Sequence, residues 1–380
     1  MQIVVLKETD PAETRVALMP DAVRKLAAQS VGVSVESGAG AQSGASDEDY
    51  KDAGAAVFER RAGALDAADV LVAINRPPVE DLLRLKGGAV LIGLLRPLDD
   101  PAGLEPIAAR GLTAFAMEMI PRTTRAQAMD VLSSMATIVG YKAVLMAAER
   151  LPRLFPMLTT AAGTVPPARA LVLGAGVAGL QAIATARRLG AVVEGFDIRA
   201  AAGEAVRSLG ATFLEVDLTG LETEDAGGYA RELTEEAMER SRALIAKQAR
   251  ATDVIITSAQ VPGRPAPLLV TDEAVAAMKR GSVIVDLAAA SGGNCAASSA
   301  GDIIERDGVT VMAPLNLAAT VPVHASQLYS RNVTAFLSLL VKDGNLTLDF
   351  EDDIVGPASV LREGRATHPR VAEALAGRSQ

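Results

Sequence analysis

Short runs of aliphatic residues alternate with helical patterns over the first third of the chain. The apolar runs predict β-strands at residues 2–6, 31–35, 70–74, 89–94 and 112–115. Helical periodicity lies between them, for example over residues 21–29 and 101–110. Strands that alternate with helices are typical of βαβ units and of a parallel sheet.

A second series of strands follows from Ala170 onward. Its later members are predicted at residues 192–196, 212–216, 253–257, 282–286 and 309–312. Long helical patterns at residues 130–150 and 326–341 are suited to crossing between domains. We therefore predict an α/β fold with two doubly wound Rossmann-like domains, mostly parallel sheets and long crossover helices. One domain is expected to be discontinuous, residues 1–132 with 326–380, and the other to span residues 133–325.

The second series opens on a glycine-rich turn. The strand that ends at Leu173 continues into Gly174-Ala175-Gly176-Val177-Ala178-Gly179, a GxGxxG pattern, and then into an alanine-rich helix. Strand, turn and helix N-terminus together offer backbone N–H groups and the positive end of a dipole to a pyrophosphate. The alternative is a glycine-rich turn that binds no ligand.

An acidic residue lies where a dinucleotide fold needs one. Asp197 ends the next predicted strand, about 20 residues after the turn, where a carboxylate hydrogen-bonds the adenosine ribose. Because this carboxylate would repel a 2′-phosphate, Asp197 favours NAD(H) over NADP(H). Arg199, two residues later, is of a type that accommodates that phosphate.

Composition and charge exclude several classes of function. The formal net charge of the 380 residues is −9, and no run of basic residues interleaved with aromatics is present, which argues against nucleic-acid binding. Cys295 is the single cysteine and His324 and His368 are the two histidines, so we expect no metal site. The chain shows no signal-peptide pattern, and its apolar runs fall short of the ~18 residues of a membrane span.

Several segments resemble one family closely. They are residues 160–169 with the following GAGVAGLQAIATARRLGA, residues 7–8 with 13–18, residues 119–134, residues 227–230 and residues 285–295. Together they are similar to the NAD(H)-binding component, domain I, of proton-translocating nicotinamide nucleotide transhydrogenase, within the alanine dehydrogenase/transhydrogenase family. Residues 119–134 resemble the family's loop named for its Arg, Gln and Asp, which is the most diagnostic of these segments.

The resemblance implies a site and its partners. The residues expected around the nicotinamide are Arg122, Gln127, Asp130 and Ser133, and Tyr229 is expected to close over the bound nucleotide. The other expected cofactor contacts are Gly174, Gly176, Val177, Ala178, Gly179, Asp197, Ile198, Arg199, Ala259 and Asn316. The family also implies a homodimer on the cytoplasmic side of the cell membrane, without a transmembrane segment of its own, docked on a membrane-embedded subunit and an NADP(H)-binding domain.

The available side chains suit hydride exchange between two nucleotides. Such a transfer needs positioning and no general acid or base. In alanine dehydrogenases, which share this architecture, a histidine and a lysine handle the substrate, and residues 73–77 and 92–96 supply neither. We therefore predict the NAD(H) half of a transhydrogenase, active only with partner subunits.

Alternatives remain open at this point. The chain could instead be an alanine dehydrogenase-like amino-acid dehydrogenase, or a nucleotide-binding paralogue without hydride transfer. Arg122 and Asp130 could form a charged turn that caps the next helix. Arg15 could bind a substrate carboxylate or anchor the N-terminal strand loop.

Two segments depart from the family pattern. Residues 314–320 keep an Asn but lack the Pro and Arg that the family usually has after this strand. Residues 289–291 are small, where many members carry Glu or Gln. These changes leave the details of the cofactor edge or of the docking surface open.

Overall fold

A computed structural model describes residues 1–216, 234–260 and 263–376. Its strands are β1 (Gln2–Val5), β2 (Gly32–Glu36), β3 (Ala56–Phe58), β4 (Val70–Asn75), β5 (Val90–Leu94), β6 (Thr113–Ala116), β7 (Leu158–Thr160), β8 (Gly163–Val165), β9 (Arg169–Leu173), β10 (Val192–Phe196), β11 (Thr212–Leu214), β12 (Val254–Thr257), β13 (Val283–Asp286), β14 (Ile303–Arg306), β15 (Val309–Met312), β16 (Val341–Lys342), β17 (Asn345–Leu346), β18 (Ser359–Arg362) and β19 (Arg365–Ala366).

The helices are α1 (Pro20–Ala27), α2 (Asp47–Asp52), α3 (Arg61–Ala67), α4 (Val79–Leu82), α5 (Glu105–Ala109), α6 (Val131–Arg150), α7 (Val177–Arg188), α8 (Ala202–Ser208), α9 (Glu235–Ala249), α10 (Asp272–Ala276), α11 (Pro322–Leu340), α12 (Val355–Ala358) and α13 (Pro369–Ala376). The chain divides into two compact units. Unit 1 contains Met1–Met135 and Ala318–Gln380, and unit 2 contains Ala136–Leu317. The boundary between them falls inside α6.

Unit 1 is built on an eight-stranded sheet in the order β19-β18-β6-β5-β4-β1-β2-β3. The strands from β6 to β3 run parallel, and β18 and β19 add an antiparallel edge. Successive residues of β1 enter opposite cores: Ile3 and Val5 pack on one face and Val4 and Leu6 on the other. A sheet buried on both faces requires continuous apolar strands, which explains the uninterrupted aliphatic runs.

Unit 2 is built on a seven-stranded sheet in the order β11-β10-β9-β12-β13-β15-β14. All neighbours are parallel except β14 and β15. Its first five strands follow the 3-2-1-4-5 order of dinucleotide-binding folds. The predicted fold class, two Rossmann-like α/β domains with mostly parallel sheets, is confirmed.

Several elements have too little periodic sequence to be predicted. The hairpin β7–β8 is wholly exposed, and the antiparallel edge strands β14, β18 and β19 are short. Edge strands are solvated on one side and carry polar residues, so they lack the apolar run that marks the central strands. The segment of residues 345–380 nevertheless joins unit 1, because β18 pairs with β6.

Helix α6 is apolar along its length because it packs as a core helix. Within the described part of the chain it is the one helix long and apolar enough to cross a membrane by length and composition, a test that core helices also pass. In unit 2 its Ala143, Val144 and Ala147 are completely buried in a hydrophobic core. Gly140 has a specific reason to be glycine: a Cβ there would lie 2.1 Å from the carbonyl oxygen of Ala178 at the start of α7.

We predict that Gly140→Ala destabilises the protein by about 1–3 kcal/mol, because the added methyl group meets rigid backbone. The matched control is Gly63→Ala in α3, where a Cβ would meet nothing within 4 Å. Alanine is the better helix former, so the control should be neutral or stabilising by about 0.5–1 kcal/mol. Urea unfolding of both variants measures the difference. Equal effects at the two positions would contradict the close packing of α6 on α7.

Candidate nucleotide site

The carboxyl ends of the parallel strands of unit 2 meet at one edge of its sheet. The strand order reverses beside β9, whose neighbours are β10 and β12. In open α/β sheets, ligands bind outside the carboxyl ends of the strands at such a switch point. The glycine turn, the residues after Phe196 and the loop after Thr257 all lie at this edge.

The three glycines of the turn have three different physical roles. Gly174 has a φ of +95°, a left-handed conformation that favours glycine, and a Cβ there would lie 2.9 Å from Ser258 Oγ. A Cβ at Gly179 would lie 1.7 Å from the carbonyl oxygen of Gly174, so α7 can approach β9 only without a side chain. A Cβ at Gly176 would meet nothing within 4 Å. Protein packing therefore requires Gly174 and Gly179, whereas Gly176 keeps open space clear.

That open space faces the start of α7. Gly176 is the N-cap residue of this 12-residue helix and provides no side-chain capping hydrogen bond. Val177 is 36% exposed and Ala178 is partly exposed. A helix N-terminus without a side-chain cap attracts an anion through its backbone N–H groups and its dipole. The turn therefore has the shape and the polarity that a pyrophosphate requires.

Asp197 closes the site at the end of β10, and its carboxylate is already engaged by the protein. Oδ2 accepts the backbone N–H of Ala175 at 2.7 Å, and Oδ1 accepts the backbone N–H of Arg199 at 2.9 Å. The Arg199 side chain adds a salt bridge to the same carboxylate at 2.8 Å. The intervening Ile198 packs against the hydrophobic core on one face of the sheet. Asp197 thus ties the glycine turn to the second strand.

The loop after β12 is held by an asparagine that the sequence patterns leave without a role. Asn294 is completely buried, and its Oδ1 accepts the backbone N–H of Ala259 at 3.0 Å. Its Nδ2 donates to the carbonyl oxygens of Ala259 and Pro267 at 2.9 and 2.8 Å. The amide thereby fixes both peptide groups of Ala259, one of the expected cofactor contacts. A buried Asn beside a glycine pair is the signal that could have indicated this role.

Asp286 in turn holds the Asn294 loop. It is completely buried at the end of β13. Its carboxylate accepts hydrogen bonds from the hydroxyls of Thr257 and Ser298 and from the backbone N–H groups of Ala288, Asn294 and Cys295. Such a satisfied buried network fixes the backbone along this part of the edge.

Two expected contacts remain less defined. Asn316 is partly buried in the loop after β15, on the same side of the sheet as the other strand ends. Tyr229 lies outside the described residues.

The residues expected around the nicotinamide lie together on one loop of unit 1. Arg122 and Gln127 are exposed, and Gln127 begins a short 3₁₀ turn, Gln127–Met129. Asp130 caps α6: its carboxylate accepts the backbone N–H of Ser133 at 2.8 Å and the Ser133 hydroxyl at 2.6 Å. The capping interpretation of Asp130 is therefore correct as local geometry. This cap orients Asp130 and Ser133 at the start of the helix.

Comparison with known proteins places this architecture. The family models "Alanine dehydrogenase/PNT, N-terminal domain" and "Alanine dehydrogenase/PNT, C-terminal domain" match residues 4–139 and 143–369. The chain belongs to the alanine dehydrogenase/PNT family. Its relatives include the first segment of the split NAD(P) transhydrogenase subunit alpha of Rhodospirillum rubrum, which is 45% identical over 377 residues, 97% of this chain and 98% of the relative. The resemblance noted in the sequence is thus confirmed.

Within this family the chain is closer to transhydrogenases than to alanine dehydrogenases. A solved transhydrogenase from Sinorhizobium meliloti has 43% sequence identity and a TM-score of 0.86, covering 96% of this chain and 100% of that one. The alanine dehydrogenase of Halomonas elongata is 29% identical over 382 residues, 99% of this chain and 97% of the relative.

Unit 1 carries a buried charged cluster of a different kind from a dehydrogenase site. Arg15 makes a two-point ion pair with Glu13, with Nε–Oε1 and Nη2–Oε2 distances of 2.7 and 2.5 Å, and both side chains are buried. Asn75 donates to the same Glu13 at 3.0 Å. Arg15 therefore anchors the loop after β1, because its carboxylate partner comes from the chain itself. The two segments compared with the dehydrogenase histidine and lysine present Asn75 and Arg96.

Glu8 belongs to this cluster and makes it sensitive to pH. Its Oε1 accepts the backbone N–H of Ile74 at 2.7 Å. Burial raises the pKa of the Glu8 carboxyl to about 7, and the nearby Glu13 carboxylate adds to the increase. A carboxyl group whose pKa is higher in the folded state stabilises the fold below its unfolded pKa, and this stabilisation is lost as pH rises through the folded pKa.

We predict that Glu8→Gln matches the parent protein near pH 4.5 and is more stable than the parent at pH 8. The gain should approach ~3 kcal/mol at most, since each pKa unit corresponds to about 1.4 kcal/mol. Calorimetric unfolding across this pH range measures it. Glu48→Gln on α2, which changes an exposed side chain, is the control and should show no such pH dependence. A stability difference between Glu8→Gln and parent that is constant with pH would contradict the prediction.

Proposed function

We propose that the chain is the NAD(H)-binding component of a proton-translocating transhydrogenase. In this role it passes hydride between NADH and NADP⁺ held on a partner subunit. The observation that carries the proposal is the uncapped N-terminus of α7 beside Gly176, where the backbone is exposed to open space. A helix N-terminus of this kind suits the pyrophosphate of a dinucleotide.

The side chains assigned to the nicotinamide suit positioning. The Gln127 carboxamide offers both a donor and an acceptor to the amide of a nicotinamide. Asp130 and Ser133 are mutually hydrogen-bonded, which fixes their orientation at the start of α6. Arg122 is exposed on the same loop. Hydride exchange between two nicotinamides requires this type of orientation and no proton transfer at the reacting carbons.

An amino-acid substrate is a poorer fit for unit 1. A dehydrogenase needs a cation for the substrate carboxylate and groups that move a proton at the amine. Arg15 is engaged by Glu13, and the segments around Asn75 and Arg96 contain neither histidine nor lysine. These contacts favour the transhydrogenase over the alanine dehydrogenase alternative.

The proposal includes partners. The Rhodospirillum rubrum relative is named as one segment of a subunit, which implies further subunits in its complex. For this chain we propose a membrane-embedded subunit and an NADP(H)-binding domain as partners on the cytoplasmic side of the cell membrane.

We also propose a homodimer. The hairpin β7–β8 and the residue that precedes it expose Met157, Leu158 and Val165 at 64%, 45% and 44%. An isolated two-stranded hairpin is marginally stable in water, so a second chain packed on these side chains would stabilise it.

The function is tested by mixing the purified chain with an NADP(H)-loaded domain of a transhydrogenase. We expect hydride exchange between NADH and the NADP(H) pool, followed by absorbance of an analogue, only when both components are present. Reduction of NAD⁺ by the chain alone in the presence of L-alanine would contradict the proposal and favour a dehydrogenase. NADH binding without either activity would contradict it as well and favour a non-catalytic paralogue, consistent with the altered segment 314–320.

A further inference from the structure

The carboxylate of Asp197 is fully used within the protein. Oδ1 accepts the backbone N–H and the Nε–H of Arg199, both at 2.9 Å. Oδ2 accepts the backbone N–H of Ala175 at 2.7 Å and the Nη2–H of Arg199 at 2.8 Å. A carboxylate offers about four lone-pair positions. A ribose hydroxyl can therefore donate to this carboxylate only after one of the present donors has left.

The donors differ in how easily they can leave. The backbone N–H of Ala175 is fixed by the glycine turn, and that of Arg199 is fixed by the two-residue loop that follows β10. The Arg199 side chain is instead attached through rotatable bonds and is 19% exposed, whereas the Asp197 side chain is 6% exposed. The guanidinium is thus the exchangeable donor, and it occupies half of the carboxylate.

The pair also changes the charge that a nucleotide meets. Asp197 alone would present a negative charge to the ribose and would repel a 2′-phosphate. Paired with Arg199 it presents no net charge, and a released guanidinium is a good two-point donor to phosphate. The same side chain therefore opposes the binding of an unphosphorylated ribose and softens the rejection of a phosphorylated one.

We propose that Arg199 competes with the adenosine ribose for Asp197 and thereby sets the specificity of the site. Its side chain keeps the affinity for NAD(H) moderate and narrows the margin by which NADP(H) is excluded. Arg199 is a specificity-determining residue in this scheme. The inference rests on the proposed function, since it assigns the adenosine end of the same nucleotide site.

The test compares binding of adenosine 5′-diphosphate with binding of its 2′-phosphorylated counterpart. Both probes lack nicotinamide, so calorimetry reports on the adenosine end whether or not hydride is transferred. We expect Arg199→Ala to bind adenosine 5′-diphosphate about threefold to tenfold more tightly, the range of one partly exposed charge pair. The ratio of the two dissociation constants should widen by about tenfold or more.

Three further variants separate competition from a structural role. Arg199→Lys keeps the charge without the planar fork, so its ratio should lie between those of the parent and Arg199→Ala. In an Asp197→Asn background, Arg199→Ala should no longer tighten adenosine 5′-diphosphate binding. Arg240→Ala removes an exposed ion pair with Glu236 on α9 and should leave both affinities unchanged.

Two outcomes overturn the inference. Weaker binding of both probes to Arg199→Ala by the same factor would show that Arg199 merely orders the loop. An unchanged ratio with unchanged affinity would show that the pair opens at no cost and selects nothing. Failure of the parent chain to bind either probe would overturn the proposed nucleotide site as well, so the two failures are distinguishable.

Discussion

Close approach of backbone to backbone at the start of α7 is the constraint on which the candidate site depends. Added side chains would collide with backbone oxygens at two positions, Gly179 against the Gly174 carbonyl and Gly140 against the Ala178 carbonyl. The first contact brings the helix onto its own strand, and the second brings α6 against the helix start. Because both contacts involve rigid backbone, they fix where the N–H groups of α7 lie without any capping side chain.

Buried polar groups extend this control along the sheet edge. Asp197 ties the turn to β10, Asn294 holds both peptide groups of Ala259, and Asp286 holds the loop that carries Asn294. Each of these side chains satisfies backbone donors or acceptors that an irregular loop would otherwise leave without partners. The site is therefore preorganised by groups that need not touch a nucleotide themselves.

The central strands and the glycine turn could be predicted because their physical signal is local. Sheets buried on both faces require aliphatic runs, and a strand followed by GxGxxG and a helix is one continuous segment. The contacts of Gly140, Asn294 and the Arg199 side chain join residues that are distant in sequence or depend on side-chain conformation. Periodicity cannot show them, although a glycine inside a long helix indicates that something packs closely there. The same limit applies to unit 1, where the sequence leaves open whether Arg15 binds a substrate or anchors a loop, and the structure pairs it with Glu13 inside the protein. The assignment of Arg122, Gln127, Asp130 and Ser133 to the nicotinamide stays a prediction from resemblance, and the local role of Asp130 as the cap of α6 does not depend on it.

The central claim is that open space beside Gly176 is kept for the pyrophosphate of NADH. Gly176 has extended backbone angles that any residue adopts, and a side chain there would meet no protein atom within 4 Å. The most direct measurement is NADH binding to Gly176→Val, followed by nucleotide fluorescence and set beside the unfolding transition of the same sample. The account predicts that NADH affinity falls by at least about tenfold, or ~1.4 kcal/mol, while the unfolding transition is unchanged. NADH binding equal to that of the parent chain would contradict it.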